Sequence, residues 1–245
     1  MNYIYPLDIE FEFNSQKQTI TPVILRDEHD TILIDCGYPD FIPLLEEAAK
    51  HHNVSLDSIT RLIVTHHDMD HVGPLAALKR INPHIEIITH ELEAPYVDGS
   101  QKAIRIQQAE STFDGLPDDE KPSIQQFIAF LQSIEPVSVD RTVSSGEHLP
   151  WCGDIEIIHT PGHVPGHISL YLPASKTLIA GDAIVIEDGQ LHIANPQFAW
   201  NLDEAVCSVQ LLLEYDIEHL ICYHGGVFHG DIQKALQELL HAYLP

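Results

Sequence analysis

The stretch IVTHHDMDHVGP, Ile63 to Pro74, puts three imidazoles and two carboxylates into the six positions His66 to His71, and does so where the periodicity of the chain changes. Before it, RLIVT (Arg61 to Thr65) is an apolar, β-branched run of the kind that forms a buried strand. After it, GPLAALKRI carries Leu75, Leu78 and Ile81 at helical spacing. The cluster therefore occupies a strand-to-helix turn. A buried strand delivers the residues at its end to a fixed place, which suits side chains that converge on an ion better than it suits a solvated face. The chain has 17 histidines, enough for a polar loop to collect two by chance. Spacing and placement nonetheless point to a metal site.

With 245 residues, 44% of them hydrophobic, the chain can bury a sizeable core. We expect a single domain over 1–245. Its 37 acidic residues face 12 basic ones, a formal charge of -25, so it repels polyanions and nucleic acid is not an expected partner. No apolar run is long enough to span a bilayer, and MNYIYPLDIEFEF lacks the basic-then-apolar order of a signal peptide. These features predict a cytoplasmic protein with no membrane association. Cys36, Cys152, Cys207 and Cys222 form no CxxC pair and are expected to be free, mostly buried thiols.

Strand-like runs open the chain at IEFEFNS, TITPVILRD and TILIDCG, followed by a helix at FIPLLEEAAKHH. From Glu91 to about Ile134 the pattern turns polar and helix-prone, broken at DGLPDDEKP, and predicts an insertion of two or three helices. Strand signals resume at PVSVD, GDIEIIHTP, ISLYLPA and KTLIAGDAIVI, each bounded by turn residues. The end reads helix (LDEAVCSVQLLLEY), strand (HLICYH), helix (DIQKALQELLHAY). In the last helix Ile232, Leu236, Leu239, Leu240 and Tyr243 share one stripe. Two successive strand sets, each closed by helices, predict two sheets packed face to face with helices outside.

More candidate ligands stand at the ends of predicted strands. HTPGHVPGH offers His159, His163 and His167, with the Pro-Gly before His163 suited to a tight turn. IAGDAI places Asp182 after a glycine, where backbone can approach closely. ICYHGG ends an apolar strand with His224. Asp35, in LIDCG, is expected to make structural hydrogen bonds to neighbouring loops.

Taken in order, THHDMDH, TPGH, GD and a late HGG resemble the metallo-β-lactamase superfamily over roughly Thr19 to Gly230, through its HxHxDH pattern. The resemblance implies an α/β, four-layer αββα sandwich of two mixed sheets with a dinuclear metal centre along one edge. Carried over by position, His66, Asp68 and His163 would hold the first metal, Asp70, His71 and His224 the second, and Asp182 would bridge them. His67 and Met69 fall at variable positions, and His159 and His167 outside direct ligation. One departure stands out: Asp68 replaces the second histidine of the pattern. Three carboxylates with one hydroxide would balance two divalent ions. They also shift preference towards Mn²⁺ or Fe²⁺, while four imidazoles keep Zn²⁺ in play.

Two such ions can acidify a shared water and polarise a carbonyl or phosphoryl oxygen. The expected function is a metal-dependent hydrolase in which metal-bound hydroxide attacks a small carbonyl ester, a lactone or thioester, with Asp70 orienting the nucleophile or carrying a proton. No GxSxG elbow is present. A small-molecule phosphodiesterase is one alternative. A di-iron redox enzyme related to flavodiiron proteins is another, although such relatives need a flavin domain for which this chain has no room. The 91–134 insertion is a candidate lid over the metal edge, or else a helical pair packed on the core or on a second subunit of a homodimer.

Overall fold

The computed structural model describes residues 2–13 and 16–243. Its first half contains β1 (Tyr3–Pro6), the hairpin β2–β3 (Ile9–Phe13 and Gln16–Ile20), β4 (Val23–Arg26), β5 (Thr31–Ile34), β6 (Arg61–Val64), β7 (Glu86–His90) and β8 (Arg141–Val143). A six-stranded sheet runs β1-β4-β5-β6-β7-β8, antiparallel through β5 and parallel from β5 to β8. The parallel steps need crossovers, supplied by α1 (Ile42–Lys50), by α2 (Met69–Val72) with α3 (Leu75–Ile81), and by the insertion α4 (Ala94–Val97), α5 (Ile104–Phe113) and α6 (Lys121–Gln132).

The second half contains β9 (His148–Leu149), β10 (Ile155–His159), β11 (Ile168–Leu172), β12 (Thr177–Ile179), the hairpin β13–β14 (Val185–Glu187 and Gln190–His192), α7 (Leu202–Leu212), β15 (His219–Cys222), β16 (Gly226–Val227) and α8 (Ile232–His241). Its sheet runs β16-β15-β12-β11-β10-β9, parallel only between β12 and β15.

Alternation along each strand sorts the core into three seams and so makes four layers. In β5, Ile32 and Ile34 point between the sheets, against Ile157, Leu170 and Ile221 of the second. Leu33, between them, points outwards to Leu45 of α1 and Leu75 of α3. On the far side, Ile158, Leu178 and Leu220 meet Val209 of α7 and Leu236 of α8. This is the expected αββα sandwich. Helices α7 and α8 start where Asn201 and Asp231 accept backbone N–H groups from Glu204 and Lys234, at 3.2 and 3.0 Å.

Three sequence-based expectations are corrected. PVSVD is irregular: Pro136 has no N–H to donate, Val137 donates to Val97, and the Asp140 carboxylate accepts from Ile87 N–H, so the ladder starts only at Arg141. TITPVILRD is two strands, separated at Thr21 and Pro22. KTLIAGDAIVI is also two strands in different sheets, because Gly181 adopts φ +56° and turns the chain at Asp182. The insertion holds three helices, with the break at DGLPDDEKP as expected.

Candidate metal centre

The loops that leave β5, β6, β10, β12 and β15 gather at one edge of the sandwich and carry Asp35, His66–His71, His163, Asp182 and His224. At this edge His66 Nε2 and His163 Nε2 lie 3.5 and 3.1 Å from Asp68 Oδ2. His71 Nε2 and His224 Nε2 lie 3.7 and 3.1 Å from Asp70 Oδ2. Asp182 sits between, with Oδ1 3.4 Å from His71 Nε2 and Oδ2 3.6 Å from His163 and 3.5 Å from His224. Three overlapping triads, His66–Asp68–His163, His66–His71–Asp182 and Asp70–His71–His224, each have the spacing to hold an ion. All seven residues singled out in the sequence converge.

Outer residues fix the rings. Asp35, at φ +57°, accepts from Thr65 N, Thr65 Oγ1 and His71 Nδ1 at 2.8, 2.7 and 2.9 Å, which turns His71 Nε2 to the centre. His167 Nε2 accepts the Asp182 N–H at 2.8 Å while Nδ1 pairs with Thr160. Neither ring nitrogen is left for ligation. His159 stacks on His90 and bonds the Pro165 carbonyl, away from the centre.

His66 Nε2, His71 Nε2 and Asp182 Oδ1 are buried with no hydrogen-bond partner among the described residues. Buried polar atoms are rarely left so unless something absent satisfies them, and a cation fits these acceptors. The electrostatics agree. Burial opposes charge on His66, His71, His167 and His224, yet Asp182 and Asp70 push His224 up to about 10, and Asp35, Asp182 and Asp70 raise His71 well above the usual histidine range. Where no such carboxylates dominate, burial wins: His66 is held well below that range, and His167 falls to about 3 with help from His163.

Two residues had no signal in the local sequence pattern. Arg105, near the start of α5, grips Asp68 with Nε and Nη2, both 2.8 Å or less from Oδ2, and its Nη2 also lies 2.8 Å from His163 Nε2. Despite burial, this charge and the neighbouring histidines hold the Asp68 carboxyl well below the usual range. The charge balance read from three carboxylates thus gains a fourth participant. Glu93, fully buried, accepts from His67 N, Gly166 N and His67 Nδ1, and so ties the motif loop to the insertion and to the loop of His163. His67 Nε2 in turn accepts from Ile104 N at 3.2 Å and its ring stacks on Tyr96. The variable position of the motif is the anchor of α4 and α5. Glu93→Ala is expected to destabilise the protein by roughly 3 kcal/mol, since it strands three buried donors, and chemical denaturation will measure the loss.

A cleft of about 1000 Å³ opens over the centre. Asp70, Asp182 and His224 lie on its floor. Ile124, Phe127 and Leu131 of α6 line one wall, and Phe198 and the β13–β14 hairpin line another. The insertion therefore forms one wall of the cleft at the candidate metal edge. Among the described residues no helix is long and apolar enough to cross a membrane.

The profile described as the metallo-beta-lactamase superfamily matches residues 19–224, from the β2–β3 hairpin to the last candidate ligand. The chain belongs to the metallo-β-lactamase superfamily. As a metallo-β-lactamase-fold protein it is a metallo-hydrolase, and it is 27% identical to the probable metallo-hydrolase YflN of Bacillus subtilis, over 87% of this chain and 82% of that one. It is also 27% identical to a hydroxyacylglutathione hydrolase of Rhizobium meliloti, over 66% of this chain and 46% of the other. The metallo-beta-lactamase family protein TTHA1429 of Thermus thermophilus has the same fold, with a TM-score of 0.77 at 18% identity, over 98% of this chain and 79% of that one.

Proposed function

We propose that this superfamily member hydrolyses a small carbonyl ester, a lactone or thioester, at a centre of two divalent ions held by His66, Asp68 and His163, by Asp70, His71 and His224, and by Asp182 between them. One observation carries the choice of substrate: the cleft has an acidic floor beneath an apolar wall, and of its two basic lining residues, Lys17 and Arg105, the second is committed to Asp68. That surface suits an uncharged ester with an acyl chain and offers little to a run of phosphates. The name of the Rhizobium meliloti relative, hydroxyacylglutathione hydrolase, supports a thioester as the bond cleaved.

Bound at this edge, the ions would supply an acidic water and Lewis acidity towards the substrate oxygen. The protein supplies the rest. Asp70 faces the cleft, and its carboxylate can orient a water and take its proton. Tyr38 lines the cleft, and burial together with Asp70 raises its hydroxyl well above the usual tyrosine range, so it stays a neutral donor for developing charge. Asp35 and His167 hold His71 and Asp182 against reorientation. Ile124, Phe127 and Leu131 exclude water from the acyl part. Metal analysis of protein purified without chelator, followed by a panel of lactones, thioesters and phosphodiesters, tests the reading. Two equivalents of metal and ester turnover are expected; no bound metal after reconstitution would overturn it.

A further inference from the structure

Arg105 is the one basic side chain placed against the candidate ligands among the described residues, and it lies on one half only. Its Nε and Nη2 donate to Asp68 Oδ2 at 2.8 and 2.7 Å, and Nη2 reaches His163 Nε2 at 2.8 Å. Its Nη1 donates to Gln108 Oε1 at 3.0 Å and to the Phe198 carbonyl. The guanidinium is thus fully committed, and most of it is buried. In the other half, Asp70, His71 and His224 approach one another and Asp182, and the donor added to Asp70 is the neutral hydroxyl of Tyr38 rather than a guanidinium.

We infer that Arg105 is a resident cation that competes with a metal ion for the first position, so that the two positions load unequally. This rests on the metal-centre reading above. The argument is one of lone pairs. A carboxylate has about four acceptor sites, and Asp68 can serve a guanidinium and an ion together. A neutral imidazole nitrogen has a single lone pair, so His163 Nε2 accepts from Arg105 or binds an ion, but not both. Loading the first position therefore requires Arg105 to withdraw, at the cost of a two-pronged charged contact in a buried site. The second position meets no such side-chain competitor: His71 Nε2 and Asp182 Oδ1 have no hydrogen-bond partner among the described residues, and the protons that Asp35, Asp70 and Asp182 hold on His71 and His224 leave to solvent when an ion binds. Withdrawal also removes one of the two ties from α5 to the Phe198 carbonyl across the cleft, leaving Gln108 Nε2 at 3.3 Å, so occupancy of the first position and the hold between the cleft walls are linked. Asp68, the departure from the HxHxDH pattern, and Arg105 then form one device: the extra carboxylate supplies the anchor for the fork.

The test is a titration of metal-free protein with Zn²⁺ by calorimetry, alongside NMR of the arginine Nε–H groups. Wild-type protein should take one equivalent tightly and a second at least about tenfold more weakly, a difference of about 1.4 kcal/mol. The Arg105 Nε–H signal should move only with the second. Arg105→Gln should close the gap between the two affinities by raising the second. Equal affinities in the wild type, a signal that moves with the first equivalent, or a second affinity unchanged in Arg105→Gln each overturn the inference, and the first two need no variant. Failure of both proteins to bind any Zn²⁺ would overturn it together with the metal-centre reading. Unequal binding as described, with no ester cleaved by the fully loaded protein, would uphold it and sink the proposed substrate class alone.

Discussion

Asp182→Ala is expected to lower the affinity for divalent metal at both positions by more than about 100-fold and to abolish hydrolysis, whereas His224→Ala empties the second position alone. Residues that merely orient a ligand carry about 10–100-fold in metal affinity, and Asp182 touches the ligands directly on both sides. Its Oδ1 approaches His71, while Oδ2 approaches His163 and His224, all within 3.6 Å. It has little freedom to be replaced. Gly181 at φ +56° sets the turn, a Cβ there would come within 2.7 Å of His167 Nε2, and the same nitrogen accepts the Asp182 N–H. The alanine variant keeps that backbone hydrogen bond, so the fold is expected to survive, and circular dichroism will show it. Retention of both ions by Asp182→Ala in a metal titration would refute the bridging role.

Cleavage of a lactone or thioester is expected to exceed cleavage of DNA or RNA by roughly 10³-fold or more in kcat/KM, a barrier difference of about 4 kcal/mol. The ions do not make this choice, because the same centre can act on carbon or phosphorus. The surroundings do. A formal charge of -25 repels a polyanion before it reaches the cleft. Inside, the fork of Arg105 is spent on Asp68, and Lys17 is the other basic side chain on the lining. An ester meets neither obstacle and finds Ile124, Phe127 and Leu131 to cover its acyl part. Steady-state rates on matched, metal-loaded protein decide the matter, with His66→Ala controlling for contaminating activity. A phosphodiester turned over faster than every lactone and thioester, by an activity that vanishes in His66→Ala, would remove the carbonyl reading.

The sandwich and the site were legible in the sequence for one reason. Strands buried on both faces are continuous apolar runs, and the polar residues that interrupt them at their ends have nowhere to go but the sheet edge. RLIVT followed by HHDMDH, ICYH followed by GG, and IAGD each follow that rule, and His66, Asp68, Asp70, His71, Asp182 and His224 meet at one edge. Strand boundaries were less legible. PVSVD alternates like a strand but spends its hydrogen bonds on Val97 and on the Asp140 side chain. The β12 and β13 runs read as one because sequence does not display the dihedral angle of Gly181.

What the sequence determined by itself is the set of local facts: apolar period, turn chemistry, and ligand types at strand ends, all of which act between near neighbours in the chain. What only the tertiary structure decided is the set of pairings between distant segments. Arg105 is 37 residues from Asp68 and 58 from His163, on an amphipathic helix where nothing distinguishes it from a solvated arginine. Glu93 gives no hint that it accepts from Gly166, 73 residues on. A guanidinium or a buried carboxylate acquires its role from whichever lone pairs and donors the packed core places around it, and those neighbours exist only once the two sheets have closed on each other.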